Sequence, residues 1–226
     1  PDKLQFINWD EINTFKTAKR QNEHFSARWL LEEALKEWGG IDCSTTAVCR
    51  TEERAPYLQA IQGLWIKPTL PSISIAHSQT LACVALIEQG WTVGVDAEPF
   101  ARPPSPSVYD MMAKGQELVH LQSGKLDPLQ AWTSKEAVQK AARMGMHLNP
   151  RDLVLSSNQL RNEITIRNTI FQLENLSNEA YHITLAWAHD RYPIRTLEDD
   201  LLDATREAMS SGEDWNVGCV TVRKNV

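Results

Sequence analysis

The chain has 226 residues, 42% of them hydrophobic and 23% charged, with a formal net charge of -6. That length supports one large or two modest globular domains with a real core, and the acidic balance argues against a nucleic-acid binder, which presents a basic patch. No run of about 18 apolar residues occurs, so a helical membrane span is excluded on length, and Pro1-Asp2-Lys3-Leu4 lacks the basic and apolar segments of a secretory signal, so cytoplasmic residence is expected.

In chain order, Trp29, Leu30, Ala34, Leu35 and Trp38 recur at helical spacing and predict a helix from about Phe25 to Trp38. Two strands are expected at Ser72 to Ala76 and Leu81 to Glu88, with Gln79-Thr80 near the turn. Val93 to Ala97 reads as a buried strand of apolar and small residues interrupted by one acid, Asp96. Ala101 to Ser107 contains three prolines and predicts a loop. Helices are expected from Val108 to Leu121 and from Pro128 to Arg143, with Gly145 as a stop. Strands follow near Asp152 to Ser156, Glu163 to Ile166, Ile170 to Leu173 and His182 to Ala188. Beyond about Asp190 the chain is acidic and predicts a helix from Leu197 to Met209 and a strand from Asn216 to Arg223, to which no function is assigned. The organisation is α/β, with an N-terminal half over 1–90, a second half over 91–189 and an extension over 190–226.

The chemistry concentrates in two segments. In a strand, residues i and i+2 share a face, so Asp96 and Glu98 of Val93-Gly94-Val95-Asp96-Ala97-Glu98 aim at a common point. In the helix carrying Trp132-Thr133-Ser134-Lys135-Glu136-Ala137-Val138-Gln139-Lys140, Glu136 and Lys140 stand one turn apart. Three carboxylates suit magnesium, which takes oxygen ligands and leaves positions for water and phosphate. A lysine alongside neutralises phosphate oxygens, and a unit charge pair at about 4 Å is worth roughly 4 kcal/mol at an effective dielectric near 20. Taken singly, a Glu four residues before a Lys is also a common surface pair worth about 0.2–0.5 kcal/mol; the joint occurrence is what points to a magnesium-diphosphate site.

Both segments, in this order, resemble the signatures of the 4'-phosphopantetheinyl transferases of the surfactin-synthetase-activating type, approximately G-[IV]-D-x-E and [FW]-[STC]-x-K-E-[AS]-x-x-K. Upstream, Pro71-Ser72-Ile73-Ser74-Ile75-Ala76-His77-Ser78 resembles the family's strand ending in Ser-His-Ser, and Ile66-Lys67-Pro68 its Gly-Lys-Pro. Arg28 within Ser26-Ala27-Arg28-Trp29-Leu30-Leu31, Glu117 ahead of Leu121, and Gly145 to Leu155 extend the resemblance over roughly 15–189.

The resemblance implies a fold of two similar α/β halves related by a pseudo-twofold, acting as a monomer, with coenzyme A between them. It implies transfer of the 4'-phosphopantetheine arm of coenzyme A to a serine of an apo acyl, polyketide or peptidyl carrier protein, with release of adenosine 3',5'-bisphosphate. By position, Asp96, Glu98 and Glu136 are similar to the magnesium ligands, with Glu136 also accepting the serine proton directly or through a metal-bound water. Lys140 resembles the diphosphate clamp, His77 the histidine on the 3'-phosphate, and Lys67, Arg28 and Lys135 weaker contacts to the same phosphates. Arg102 to Ala113 lies where the family meets its carrier, with Met111 and Met112 as apolar contacts or as core.

Two positions depart from the family pattern. Ala76 replaces the serine before the histidine and removes a hydroxyl to phosphate, a loss of about 1.5–3 kcal/mol for a bond to a charged group. Ile66 replaces glycine, which limits close backbone approach and the role of Lys67. Two other readings stand beside transfer: a catalytically weak module that binds coenzyme A and carriers, and a magnesium-dependent diphosphate hydrolase. The basic cluster Lys16, Lys19 and Arg20 faces either coenzyme A or solvent. His24, His120, His147, His182 and His189 lack metal spacing and read as surface or core; Cys43, Cys49, Cys83 and Cys219 read as free thiols. The first residue is proline, which fits loss of native N-terminal residues or excision from a longer multienzyme.

Overall fold

Thr17 starts the longest helix: its hydroxyl accepts from the Arg20 amide, and the helix then runs as α2, Ala18–Gly39, until Gly40 adopts the left-handed conformation that closes it. The computed structural model describes residues 4–61, 69–155 and 162–191. The chain divides into two compact units, Pro1–Asp190 and Arg191–Val226, and every element below lies in the first. Helix α2 begins seven residues before the predicted Phe25, because the polar run from Ala18 has no apolar period and is set by its cap. A short helix α1, Trp9–Asn13, precedes it, capped by Asn8.

The architecture is mixed α/β with antiparallel sheets. Strands β1 (Thr46–Arg50) and β2 (Pro56–Ala60) form a hairpin. Strands β3 (Ser72–Ser78) and β4 (Leu81–Ile87) form a second, with Ala76 opposite Cys83 and a turn at Gln79-Thr80 as expected. Strands β5 (Trp91–Pro99), β6 (Glu163–Ile166), β7 (Thr169–Asn175) and β8 (Tyr181–His189) form a sheet in the order β5-β8-β7-β6. The Val95 amide donates to the Ser74 hydroxyl at 3.0 Å, tying β5 to β3.

The predicted helix from Val108 to Leu121 is in fact broken. Tyr109–Met112 (α3) and Gly115–Gln122 (α4) are separated by Ala113 and Lys114 in extended conformation, and Gly115 takes φ +57°. Gly115 supplies the positive φ that the turn between them needs. The predicted strand near Asp152 to Ser156 is absent over its described part: Pro150–Asp152 is a 3-10 turn started by Asn149, and Ser156 lies outside the described residues. Met111 is 67% exposed and Met112 0%, so one of the two sits at the surface and the other in the core. Lys67 with its Ile66 neighbour, and the helix and strand expected at 197–209 and 216–223, lie outside the described residues.

Helix α5, Pro128–Ala141, begins with Asp127 accepting from the amides of Leu129 and Gln130 and with proline in its first turn. It packs across β5 and β8, and Ala137, Val138 and Ala141 join Ile164, Phe171 and Ala186 in one core cluster. Gly94 permits this closeness. A Cβ there would overlap the Ala137 carbonyl and the Ala141 amide nitrogen, so strand and helix touch backbone to backbone.

Candidate active site

Because Gly94 faces α5, Asp96 and Glu98, two and four residues on, face it too. In register, Asp96 pairs with Thr184 and Glu98 with His182. Thr133 of α5 seals the far side, its Oγ1 2.9 Å from both His182 Nδ1 and Thr184 Oγ1. Asp96 is 6% exposed; Lys140 Nζ donates to its Oδ1 at 2.6 Å, and Oδ2 is buried with no hydrogen-bond partner. Glu98 Oε2 accepts from the Ser78 hydroxyl at 3.1 Å.

The three acids feel one another. Burial raises the Glu136 carboxyl above its ordinary pKa, repulsion from Asp96 and Glu98 adds to this, and Lys140 opposes it. Glu98 is likewise raised, first by burial and then by Asp96, against the Ser78 bond and Lys140. The structure therefore brings Asp96, Glu98, Glu136 and Lys140 together.

Among the described residues, no three His, Cys, Asp or Glu side chains converge closely enough to hold a metal ion. The expectation of three acids surrounding one cation is not met by these rotamers: Lys140 draws Asp96, and the Ser78 hydroxyl engages Glu98. The donor chemistry nonetheless suits a hard divalent cation. All the groups are carboxylate oxygens, and Asp96 Oδ2 is a buried acceptor without a donor, a state that costs free energy until something positive meets it.

Lys140 also opens onto a cavity of about 330 Å³ between α1, α2, the β1–β2 hairpin, β3 and α5. Arg20, Arg28 and His77 line it. His77 Nε2 lies 2.9 Å from Arg20 Nη1; because a guanidinium only donates, this nitrogen accepts, and Nδ1 carries the proton 3.7 Å from Glu23. Burial, then Arg20, hold the His77 pKa below its usual value. Ala76 is buried and does not line the cavity. A second cavity of about 390 Å³, lined by α4, α5, β7 and β8, contains none of the predicted site residues.

Lys135 is not part of this group, and its expected phosphate contact is corrected. It is 0% exposed, and its ammonium donates to Glu117 Oε2 at 2.7 Å and to the carbonyls of Met112 at 2.6 Å and Pro150 at 3.0 Å, which uses all three donors. Sequence reading missed Glu11, Arg50, Glu53, Arg54 and Arg143 as cavity residues, and took His24 as surface or core although it also lines the cavity. The arginine-rich turn after Val48 is the one sequence signal that could have flagged the hairpin.

The site thus combines clustered carboxylates with a lysine and a cationic cavity on a mixed α/β frame, the equipment of an enzyme acting on phosphate esters. Residues 92–196 match the model of the 4'-phosphopantetheinyl transferase superfamily, to which this part of the chain is similar. The match contains Asp96, Glu98, Glu136 and Lys140, whereas Arg28 and His77 lie before it. It supports phosphopantetheine transfer as the general chemistry, with coenzyme A and a carrier protein as the general partners. No curated protein matches the chain. Among the described residues, no helix is long and apolar enough to cross a membrane.

Proposed function

We propose that this protein is a magnesium-dependent 4'-phosphopantetheinyl transferase that modifies a serine of an apo carrier protein and releases adenosine 3',5'-bisphosphate. We further propose that 1–90 and 91–189 act as two halves of one monomer in the cytoplasm. The observation that carries the reading is the group of Asp96, Glu98, Glu136 and Lys140, whose lysine also lines a cationic cavity.

In this reading the cavity binds coenzyme A, with Lys140 turning from Asp96 to the diphosphate, where an ammonium offsets charge on the phosphoryl oxygens. Asp96, Glu98 and Glu136 would hold the cation, which when bound neutralises the diphosphate and stabilises the departing phosphate. The carrier serine oxygen bonds to the phosphorus that bears the pantetheine arm, and the bond from that phosphorus to the oxygen of the adenosine-side phosphate breaks. Glu136 takes the serine proton. Its raised pKa suits that task, since a base works best when its pKa approaches the working pH.

The test incubates the protein with coenzyme A, magnesium and a panel of apo carrier proteins and weighs the carriers by mass spectrometry. A gain of one phosphopantetheine arm is expected. Cleaved coenzyme with unmodified carrier would instead show hydrolysis, and neither product a binding module. Asp96→Ala is expected to abolish transfer with an unchanged circular-dichroism spectrum; an equally active variant overturns the assignment of the acids.

A further inference from the structure

The connection between β3 and β4 is short: Ser78 pairs with Leu81, and Gln79-Thr80 link them, with Gln79 at φ +51°. A positive φ at the first residue of such a turn ordinarily calls for glycine. A glutamine persists there when its surroundings over-determine the turn.

Two contacts do so, one on each side of Gln79. Ser78 Oγ donates to Glu98 Oε2 at 3.1 Å, and Thr80 meets the Tyr181 hydroxyl through its Oγ1 at 2.9 Å and its amide at 3.4 Å. Tyr181 is buried and stands opposite Pro99, one pair beyond Glu98 and His182 in the β5–β8 ladder. The turn therefore grips both strands of that ladder beside Glu98, and moving the Ser78 hydroxyl with the turn strains the hold of Thr80 on Tyr181.

Ser78 is the one hydrogen-bond partner of Glu98 among the described residues. His182, across the ladder, has both ring nitrogens engaged elsewhere: Nδ1 is 2.9 Å from Thr133 Oγ1 and Nε2 is 3.4 Å from Asn175 Nδ2.

The bonds that hold Asp96 and Glu98 differ in what a cation would do to them. Lys140 answers the charge of Asp96, a role the cation takes over. The Ser78 bond comes from a neutral hydroxyl and occupies Oε2 alone, so it can persist while Oε1 serves as a ligand. Carboxylates that bind metals are themselves commonly hydrogen-bonded in this way.

We propose that Ser78 is a positioning residue for Glu98 in the metal site, held in place by the contact between Thr80 and Tyr181, so that the β3–β4 turn sets the cation affinity of acids carried by β5 and α5. This rests on the transferase reading above, which supplies the cation.

Electron paramagnetic resonance of free Mn2+, titrated into the full chain with coenzyme A present and no carrier, reads this without turnover. Ser78→Ala is expected to weaken Mn2+ binding about tenfold, the lower end for losing a group bonded to a metal ligand. Ser78→Thr keeps the hydroxyl and is expected to restore most of the affinity. Tyr181→Phe removes only the distant hydroxyl and is expected to weaken binding by less. Coenzyme A binding, measured by calorimetry in EDTA, should be equal in all of these proteins, which a general loosening of the fold would not allow. Wild-type Mn2+ affinity in Ser78→Ala, equal losses in Ser78→Ala and Ser78→Thr, or loss of coenzyme A along with Mn2+ overturns the proposal, as does a wild type that binds no Mn2+. If Ser78→Ala fails to fold, Tyr181→Phe decides, and unchanged Mn2+ affinity there overturns it. Carrier modification by the wild type is scored separately. Transfer with Mn2+ affinity indifferent to Ser78 upholds the transferase and rejects the positioning role, and Ser78-dependent Mn2+ binding without transfer does the opposite.

Discussion

At Glu136, stability and activity pull in opposite directions. Its folded pKa lies above the ordinary carboxylate value, so the fold holds the proton more tightly than the unfolded chain does. The resulting stabilisation is full below the ordinary carboxylate pKa and is lost as pH rises through the folded value; at neutral pH the charged side chain is a net cost. Glu136→Gln is therefore expected to melt at a higher temperature than the wild type at pH 7 while losing transfer. Scanning calorimetry checks the first half; a lower midpoint would show that burial and the neighbouring acids do not make the charged side chain a net cost. The acids were legible in sequence because strand alternation alone puts Asp96 and Glu98 on one face. Lys135 was misread because its charge was weighed and its phase was not: one residue from Glu136 is about 100° around the helix, and five from Lys140 about 140°. Helical geometry already pointed it away.

Among elements, the Lys135–Glu117 pair is the tie that holds α3, α4 and the turn at Pro150 to α5, since Glu117 Oε1 also accepts from the Leu155 amide at 3.0 Å. Lys135→Met is expected to destabilise by about 3–5 kcal/mol, because it leaves a buried carboxylate without its cation. Adding Glu117→Leu should recover part of that loss; chemical denaturation of both variants measures it, and an additive double mutant would mean the two side chains are not coupled. Strands β6 to β8 and helix α5 were readable from alternation and capping. The β1–β2 hairpin was not, since Thr46–Arg50 and Pro56–Ala60 are short and half-buried, and their turn has no glycine or asparagine. The break between α3 and α4 went unseen although Gly115 marks it, because apolar residues continue on both sides.

For the molecule as a whole, an acidic total conceals a cationic interior wall, and the pH response should reveal it. His24 is lowered to about 4, by burial first and then by Arg28, with Arg50 and Arg20 adding and Glu11 opposing. The unfolded chain takes up this proton near 6.5 and the fold resists until about 4, so stability is intact above 6.5 and is lost as pH falls between the two. The expected loss from this group is about 2–3 kcal/mol by pH 4. Denaturation midpoints of wild type and His24→Gln across that range measure it; parallel curves would place the acid sensitivity elsewhere.

The absent side chain of Gly94 sets how the charged centre can move. With strand and helix backbones in direct contact, the segments bearing Asp96 and Glu136 behave as one stiff bracket, and neither can slide without prising the two apart. Any gathering of the acids around a bound group must then come from torsions beyond Cβ. Such rotations leave the strand and helix backbones where they are, so the centre assembles on a fixed frame and its first move is to part Asp96 from Lys140.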